Sequence, residues 1–397
     1  MLYAIPIGLS VVVAIGFLIY YKIKKTKVDT KGFFGATGAS LVLSCLLTLG
    51  MDACGEHSQT RDTEFWGSFG VTGEYFEDWD ERVSCRHPEY CERTVSRTDA
   101  EGKSYTTTES YQCGWQHPYD VDYHPEHWVL NDNLGASTGI PKEKFEELAK
   151  RWGSRAFVEL NRNYHSDDGD KYVTKFDNHQ DHFENMVREH TYENRVQVSS
   201  SVFNFQKVDP NKYGLYSYPG INGYDQACLL GEGDTTIGYA HYKLKVLNSV
   251  LGSPKQVKVF ILVHKDKPFE TALEQASFWK GGNKNEFIVQ IGVGSDLKVN
   301  WAHVTSWSEQ ELLKAETKDF ILSQEKLYLL GIVEWLGVKI HQDFKRKQFA
   351  DFAYLTVDTP TFVYWTSFIG SLVVCVGAHM ASLSSISISG YYGRRRV

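Results

Sequence analysis

The stretch LYAIPIGLSVVVAIGFLIYYKIKKTKVDTKGFFGATGASLVLSCLLTLGM, residues 2–51, decides how the rest of the chain is read. Its two apolar runs, Leu2 to Tyr21 and Phe33 to Met51, each reach the roughly 20 residues that a helix needs to cross a bilayer. A third run, Pro360 to about Ile386, does the same near the other end. Lys22, Lys24, Lys25, Lys27 and Lys31 fill the loop between the first two runs, and Arg394, Arg395 and Arg396 follow the third. Basic residues beside membrane helices stay cytoplasmic, so this distribution predicts a cytoplasmic lysine loop and C-terminus. Met1 and residues 52–359 then lie on the non-cytoplasmic side. No basic segment precedes the first run and no small-x-small site follows it, which reads as an anchor and not a cleaved signal.

Between the second and third runs the chain is long enough to bury a real core. Net charge is -7, and several of its cations lie in the cytoplasmic flanks, so the exported part is more acidic than the whole. That argues against nucleic acid as a partner. Seven cysteines divide unevenly. Cys45 and Cys375 fall in membrane runs, whereas Cys54, Cys85, Cys91, Cys113 and Cys228 are exported, where disulfides persist in an oxidising compartment.

Asp52 to Asp80 is acidic, aromatic and glycine-rich, and reads as an irregular membrane-proximal stalk. Val83 to Thr98 and Lys103 to Cys113, joined by Asp99-Ala100-Glu101-Gly102, predict a hairpin with two polar faces that projects from the body. Pro141 to Trp152 predicts a helix capped by Gly153, and strands are expected over Lys171 to Phe176 and Arg195 to Phe205. Further on, helices over Thr236 to Leu251 and Pro268 to Lys280 flank an apolar strand, Val257 to His264. Strands over Glu286 to Val293 and Leu297 to Val304 follow. Ser308 to Glu311 is a capping box opening a helix, with more helix from about Gln324 to Lys347. Helices alternating with near-continuous apolar strands imply an α/β sandwich.

The fold class is therefore an α+β membrane protein with three transmembrane helices. Its divisions are 1–51 (two helices and a basic loop), 52–219 (an exported, irregular β-rich region), 220–349 (the α/β sandwich) and 350–397 (the last helix and basic tail). The helix before Val257-Lys258-Val259-Phe260-Ile261-Leu262-Val263, the segment Ala276 to Gly282 and the strand Glu286 to Gly294 carry a resemblance. From about Thr236 to Phe349 the chain resembles the TPM domain of membrane-anchored proteins, and its overall plan resembles that of bacterial and phage membrane proteins. Some members of that family bind calcium or act as phosphatases through an acidic cluster. That cluster is not visible as a motif in this chain. The carboxylates nearest the strand ends, Asp266, Glu270 and Asp296, are what the resemblance offers as catalytic candidates.

Cys85-Arg86-His87 with Cys91, Cys113 and His117 is the densest local constellation. A hairpin could pair Cys85 or Cys91 with Cys113 in a disulfide, or bring four Cys and His donors around zinc. Asp177, His179 and His182 form a second possible metal set, although such polar segments are usually solvated surface. Asp167-Asp168-Gly169-Asp170 could hold calcium but lacks the EF-hand spacing, so an acidic turn is the plainer reading. No G-x-x-x-x-G-K or H-E-x-x-H occurs. The expected function is an anchored envelope protein whose exported domain contacts other envelope proteins. The alternatives are a tethered metal-dependent phosphatase of the TPM kind and a zinc-stabilised binding module.

Overall fold

The computed structural model describes every residue except 1, 25–29, 101, 154, 161–168, 178–182, 200–207, 353 and 394–397, with no side-chain detail for 197, 349, 350 and 383–393. Three helices are long and apolar enough to cross a membrane: α1 (Ala4–Lys24), α2 (Thr30–Thr60) and α10 (Thr361–Gly393). They pack together with Ser10, Ser40, Ser44, Thr48, Ser367, Ser371, Cys375 and His379 inside and Val11, Ile19, Leu46, Trp365 and Val373 outside. That inverts the arrangement of a water-soluble bundle, and small side chains at the seam let the backbones approach closely. At Gly370, for example, an added Cβ would lie 2.5 Å from a Leu47 methyl.

Residues 52–80 are not an irregular stalk. Helix α2 continues through Asp52 to Thr60, where Asp52 accepts from Tyr3 Oη (2.5 Å) and Thr359 Oγ1 (3.1 Å) on the neighbouring segments. Strand β1 (Arg61–Phe76) begins at the next residue. It is the spine of a six-stranded sheet in the order β7-β6-β1-β9-β8, with β10 on the N-terminal half of β1. These partners are β6 (His127–Asp132), β7 (Ser137–Gly139), β8 (Ala156–Val158), β9 (Lys171–Lys175) and β10 (Asn185–Glu193). Helix α3 (Lys142–Trp152) covers this sheet through Phe145, Leu148 and Trp152 and ends, as predicted, at a left-handed Gly153.

The strand expected over 195–205 is also corrected. The chain pairs earlier, as β10, and Arg195–Val198 is a helical turn, α4; residues 200–205 lie outside the described set. The last rung is Asn194 N–H to Thr60 O (2.6 Å), beyond which α2 takes over on the partner side and the Arg195 guanidinium reaches Glu56, Glu193 and the Leu355 carbonyl. A short helix, α5 (Pro210–Tyr213), and the two-residue strands β11 (Ile221–Asn222) and β12 (Asp225–Gln226) lead into the second sheet.

That sheet has the order β13-β14-β15-β16, from β13 (Leu229–Leu230), β14 (Lys258–Lys265), β15 (Glu286–Val293) and β16 (Val299–Ser306). The first three strands are parallel and the last is antiparallel. Helices α6 (Ile237–Lys255), α7 (Glu270–Phe278), α8 (Glu311–Leu322) and α9 (Leu329–Asp343) complete the predicted α-β-α-β-β-α-α order. Both β14 and β15 are buried along nearly their whole length, as strands covered on two faces must be. Two local signals were misread. Helix α6 runs past Gly252 to a left-handed Gln256, and Ser308 does not cap α8: its Oγ accepts from Gln310 N (3.1 Å), while Gln310 is the N-cap.

The two sheets are joined by buried polar contacts. Helix α6 packs on β1 and β10 as well as β14. Asn285 Nδ2 donates to Phe65 O (2.8 Å), Tyr192 Oη to Asn283 Oδ1 (3.2 Å), and Arg346 Nη2 to Glu64 Oε2 (2.6 Å).

Candidate functional site

From the end of β1 the chain leaves the body as a two-stranded ribbon. Strand β2 (Trp79–Ser84) pairs with β5 (Tyr119–His124), and β3 (Pro88–Thr98) with β4 (Ser104–Trp115). These pairs are one long hairpin broken by a joint at 85–87 and 116–118. At about 3.3 Å per residue the outer ribbon is about 35 Å long and the inner one about 20 Å. The tip is a turn in which Asp99 Oδ1 accepts from Lys103 N (2.7 Å) and Gly102 takes φ +82°. At the root, Trp79 stacks on His124 with ring centres 4.2 Å apart.

Among the described residues, neither ribbon has a further strand of its own sheet beside it. Tyr90, Tyr105, Tyr111, Trp115, Tyr119 and Tyr123 are all at least 41% exposed along it. Cross-strand pairs hold it together: Arg93 lies over Tyr111, Arg82 over Tyr119, and Glu109 meets both Arg93 and Arg97. Cys91 and Cys113 are disulfide-bonded with their Cα atoms 5.6 Å apart, near the joint end of the outer ribbon.

The joint gathers Cys85, His87, His117 and Asp120, one donor atom of each lying within 4.8 Å of the others. Cys85 is buried, and its Sγ lies 3.9 Å from His117 Nε2. His117 Nδ1 is 2.9 Å from the Tyr119 carbonyl oxygen and 3.2 Å from Asp120 Oδ1; both oxygens accept, so Nδ1 carries a proton, and Nε2 faces Cys85. His87 Nδ1 and Asp120 Oδ1 are 3.2 Å apart, and the His87 amide donates to Cys85 Sγ at 3.4 Å. The Arg86 amide donates to Asp120 Oδ2 (2.5 Å) and holds that carboxyl below the usual carboxylate range. The Arg86 guanidinium is turned outward onto Asp122.

Of the sequence candidates, Cys85 and His117 meet here. Cys91 and Cys113 are withdrawn into the disulfide, and His87 and Asp120 stand in their places. Asp120 was missed. The signal for it was a Cys-x-His couplet facing a His-x-x-Asp couplet across a hairpin. Asp266, Glu270 and Asp296 lie elsewhere, Asp266 and Asp296 just after β14 and β15 and Glu270 at the start of α7: Asp266 accepts from Ser295 Oγ (2.6 Å), and Asp296 Oδ1 from Lys298 N (3.1 Å). Among the described residues, the joint is the one place where three or more such side chains approach closely enough to hold a metal. His179, His182, Asp167 and Asp168 lie outside the described residues; Asp177 is within them, and Asp170 accepts from Leu160 N (2.9 Å).

Fold and site together define an α+β protein with three apolar helices and a jointed, disulfide-bonded β arm. No family model, curated protein or solved structure matches the chain.

Proposed function

We propose that this chain is a membrane-anchored envelope protein whose arm docks another envelope protein on the non-cytoplasmic side. The observation that carries the reading is the arm itself. An isolated two-stranded ribbon is marginal in water, yet this one is cross-linked, braced by cross-strand charge pairs and lined with exposed tyrosines and a tryptophan. Exposed aromatic surface of that kind marks a protein contact. The inside-out helical bundle and the lysine loop support the membrane anchor and its orientation. The test is a photo-crosslinking side chain at Tyr111 in native membranes, with Tyr239 on α6 as control. A discrete adduct from position 111 alone is expected; equal labelling from both positions would refute the docking role.

A second reading, a tethered hydrolase of the TPM kind, draws on Asp266 and Asp296 lying where two parallel strands end, a common place for ligands in α/β sheets. Its test is phosphomonoester hydrolysis by the purified protein, abolished by Asp296→Ala. Their carboxylates are not gathered in a metal-holding group, which favours the arm.

A further inference from the structure

We infer that Cys85, His87, His117 and Asp120 form a four-coordinate zinc site that sets the angle between the inner and outer ribbons of the arm. The inference deepens the docking reading, since it names what stiffens the docking element. The donor types come first. One thiolate, two imidazoles and one carboxylate are ligands zinc accepts, and a four-protein-ligand shell is that of a structural site with no open position for catalysis. Charge comes second: zinc with one thiolate, one carboxylate and two neutral histidines is a neutral unit, which suits a buried sulfur beside the exposed His87 and half-buried His117 rings.

Geometry comes third. Bond lengths of about 2.0–2.3 Å around a tetrahedral ion place donors about 3.3–3.6 Å apart. The His87–Asp120 pair at 3.2 Å and the Cys85–His117 pair at 3.9 Å bracket that spacing without metal. The surrounding hydrogen bonds are those that orient ligands. Tyr119 O fixes the His117 tautomer, the Arg86 amide fixes Asp120, and the His87 amide points at the sulfur. Placement gives the consequence. Cys85 and His87 follow β2, His117 and Asp120 precede and open β5, and the regular ladder is interrupted between Ser84↔Tyr119 and Pro88↔Trp115. One backbone bond remains there, from Gln116 N to His87 O (3.0 Å), and a metal bridging both strands adds a second tie across the joint. Binding releases the Cys85 thiol proton to solvent.

The test uses the full chain in detergent, purified without chelator. About one zinc per chain is expected, as a single closed site requires. After chelator stripping, cobalt(II) alone is added as a probe. A thiolate-to-cobalt charge-transfer band with tetrahedral ligand-field bands is expected; Cys85→Ser abolishes the charge-transfer band, and Cys54→Ser leaves it intact. Asp120→Asn, which keeps the side-chain shape, is expected to weaken cobalt binding by about 10- to 100-fold. Retention of the Cys91–Cys113 disulfide and of the circular dichroism spectrum certifies folding in each case. A folded protein that takes up neither zinc nor cobalt, or a charge-transfer band that survives Cys85→Ser, overturns the site. Crosslinking from Tyr111 is scored separately, so the docking role and the zinc site fail independently.

Discussion

His264 closes the buried part of β14 with 2% of its surface exposed, and its Nε2–H donates to Gln290 Oε1 at 3.2 Å. Gln290 is itself fixed by donating to the Ala272 carbonyl (3.0 Å), so no rearrangement offers the ring a second acceptor there. Burial, with Lys267 nearby, lowers the His264 pKa to about 4. The fold therefore holds the neutral ring while the unfolded chain binds a proton near pH 6.5. Its stabilising contribution is complete above about pH 6.5 and disappears as pH falls toward 4, a change of up to about 3 kcal/mol. Urea midpoints measured across that range will show the loss, and His264→Gln will flatten it; an unchanged slope in the variant would assign the pH dependence to other groups. Glu64 and Arg346 make the other prediction at this scale. Burial pushes the Glu64 carboxyl up although Arg346 pulls it down, so the pair is poised between two costs. Removing only the carboxylate charge, as Glu64→Gln, leaves the buried guanidinium its hydrogen bond to Gln256 but no counter-charge from Glu64, and is expected to cost about 3 kcal/mol in thermal or urea unfolding. The sequence made Cys85 and His117 legible because their chemistry is conspicuous. Asp120 was not legible, since an aspartate among many acquires a role only from the register of β2 on β5.

Strand β1 shows why an element can be invisible in sequence. Its buried positions are filled by Glu64, Gly67, Ser68, Gly70 and Gly73, with no apolar alternation to read. The glycines serve a crossing. A Cβ on Gly67 would lie 2.1 Å from Asn248 O, and one on Gly252 would lie 2.6 Å from Gly67 N. Helix α6 and β1 thus touch backbone to backbone, which also explains why Gly252 sits inside a helix and does not end it. Gly67→Ala must separate the two, with an expected loss of about 3 kcal/mol or more seen as a lowered melting temperature. By contrast β14, β15 and α3 were legible because local propensity and burial agree in them. The disulfide acts at the same scale. Cys113→Ser frees a hairpin closed over a separation of 22 residues, at a cost of about 3 kcal/mol in the chain-entropy model. That cost is local: hydrogen exchange is expected to accelerate across β3 and β4 while β14 and β15 keep their protection.

At the scale of the molecule, the membrane reading makes a topological prediction. In sealed cells, and in a Cys54→Ser background that removes the exposed native thiol, a membrane-impermeant maleimide should label Ser110→Cys on the exposed arm and spare Lys27→Cys until the membrane is opened; the reverse pattern would invert the assigned orientation. The path of the chain carries a further consequence. Helix α2 becomes β1 at Thr60–Arg61 with no loop, and only Glu77 and Asp78 separate β1 from the arm. Asp52 clamps the helix to its neighbours, and Arg195 ties Glu56 to the first sheet. Anchor, sheet and the inner ribbon of the arm therefore follow one another with no connection longer than two residues. Membrane helices tilt in response to bilayer thickness, and a tilt of about 10° carried through an arm of about 55 Å moves its tip by on the order of 10 Å. On the proposed reading, with α2 in the bilayer and a partner on the arm, the thickness of the lipid would set where the arm can reach, and a change of membrane would become a change of address for its partner.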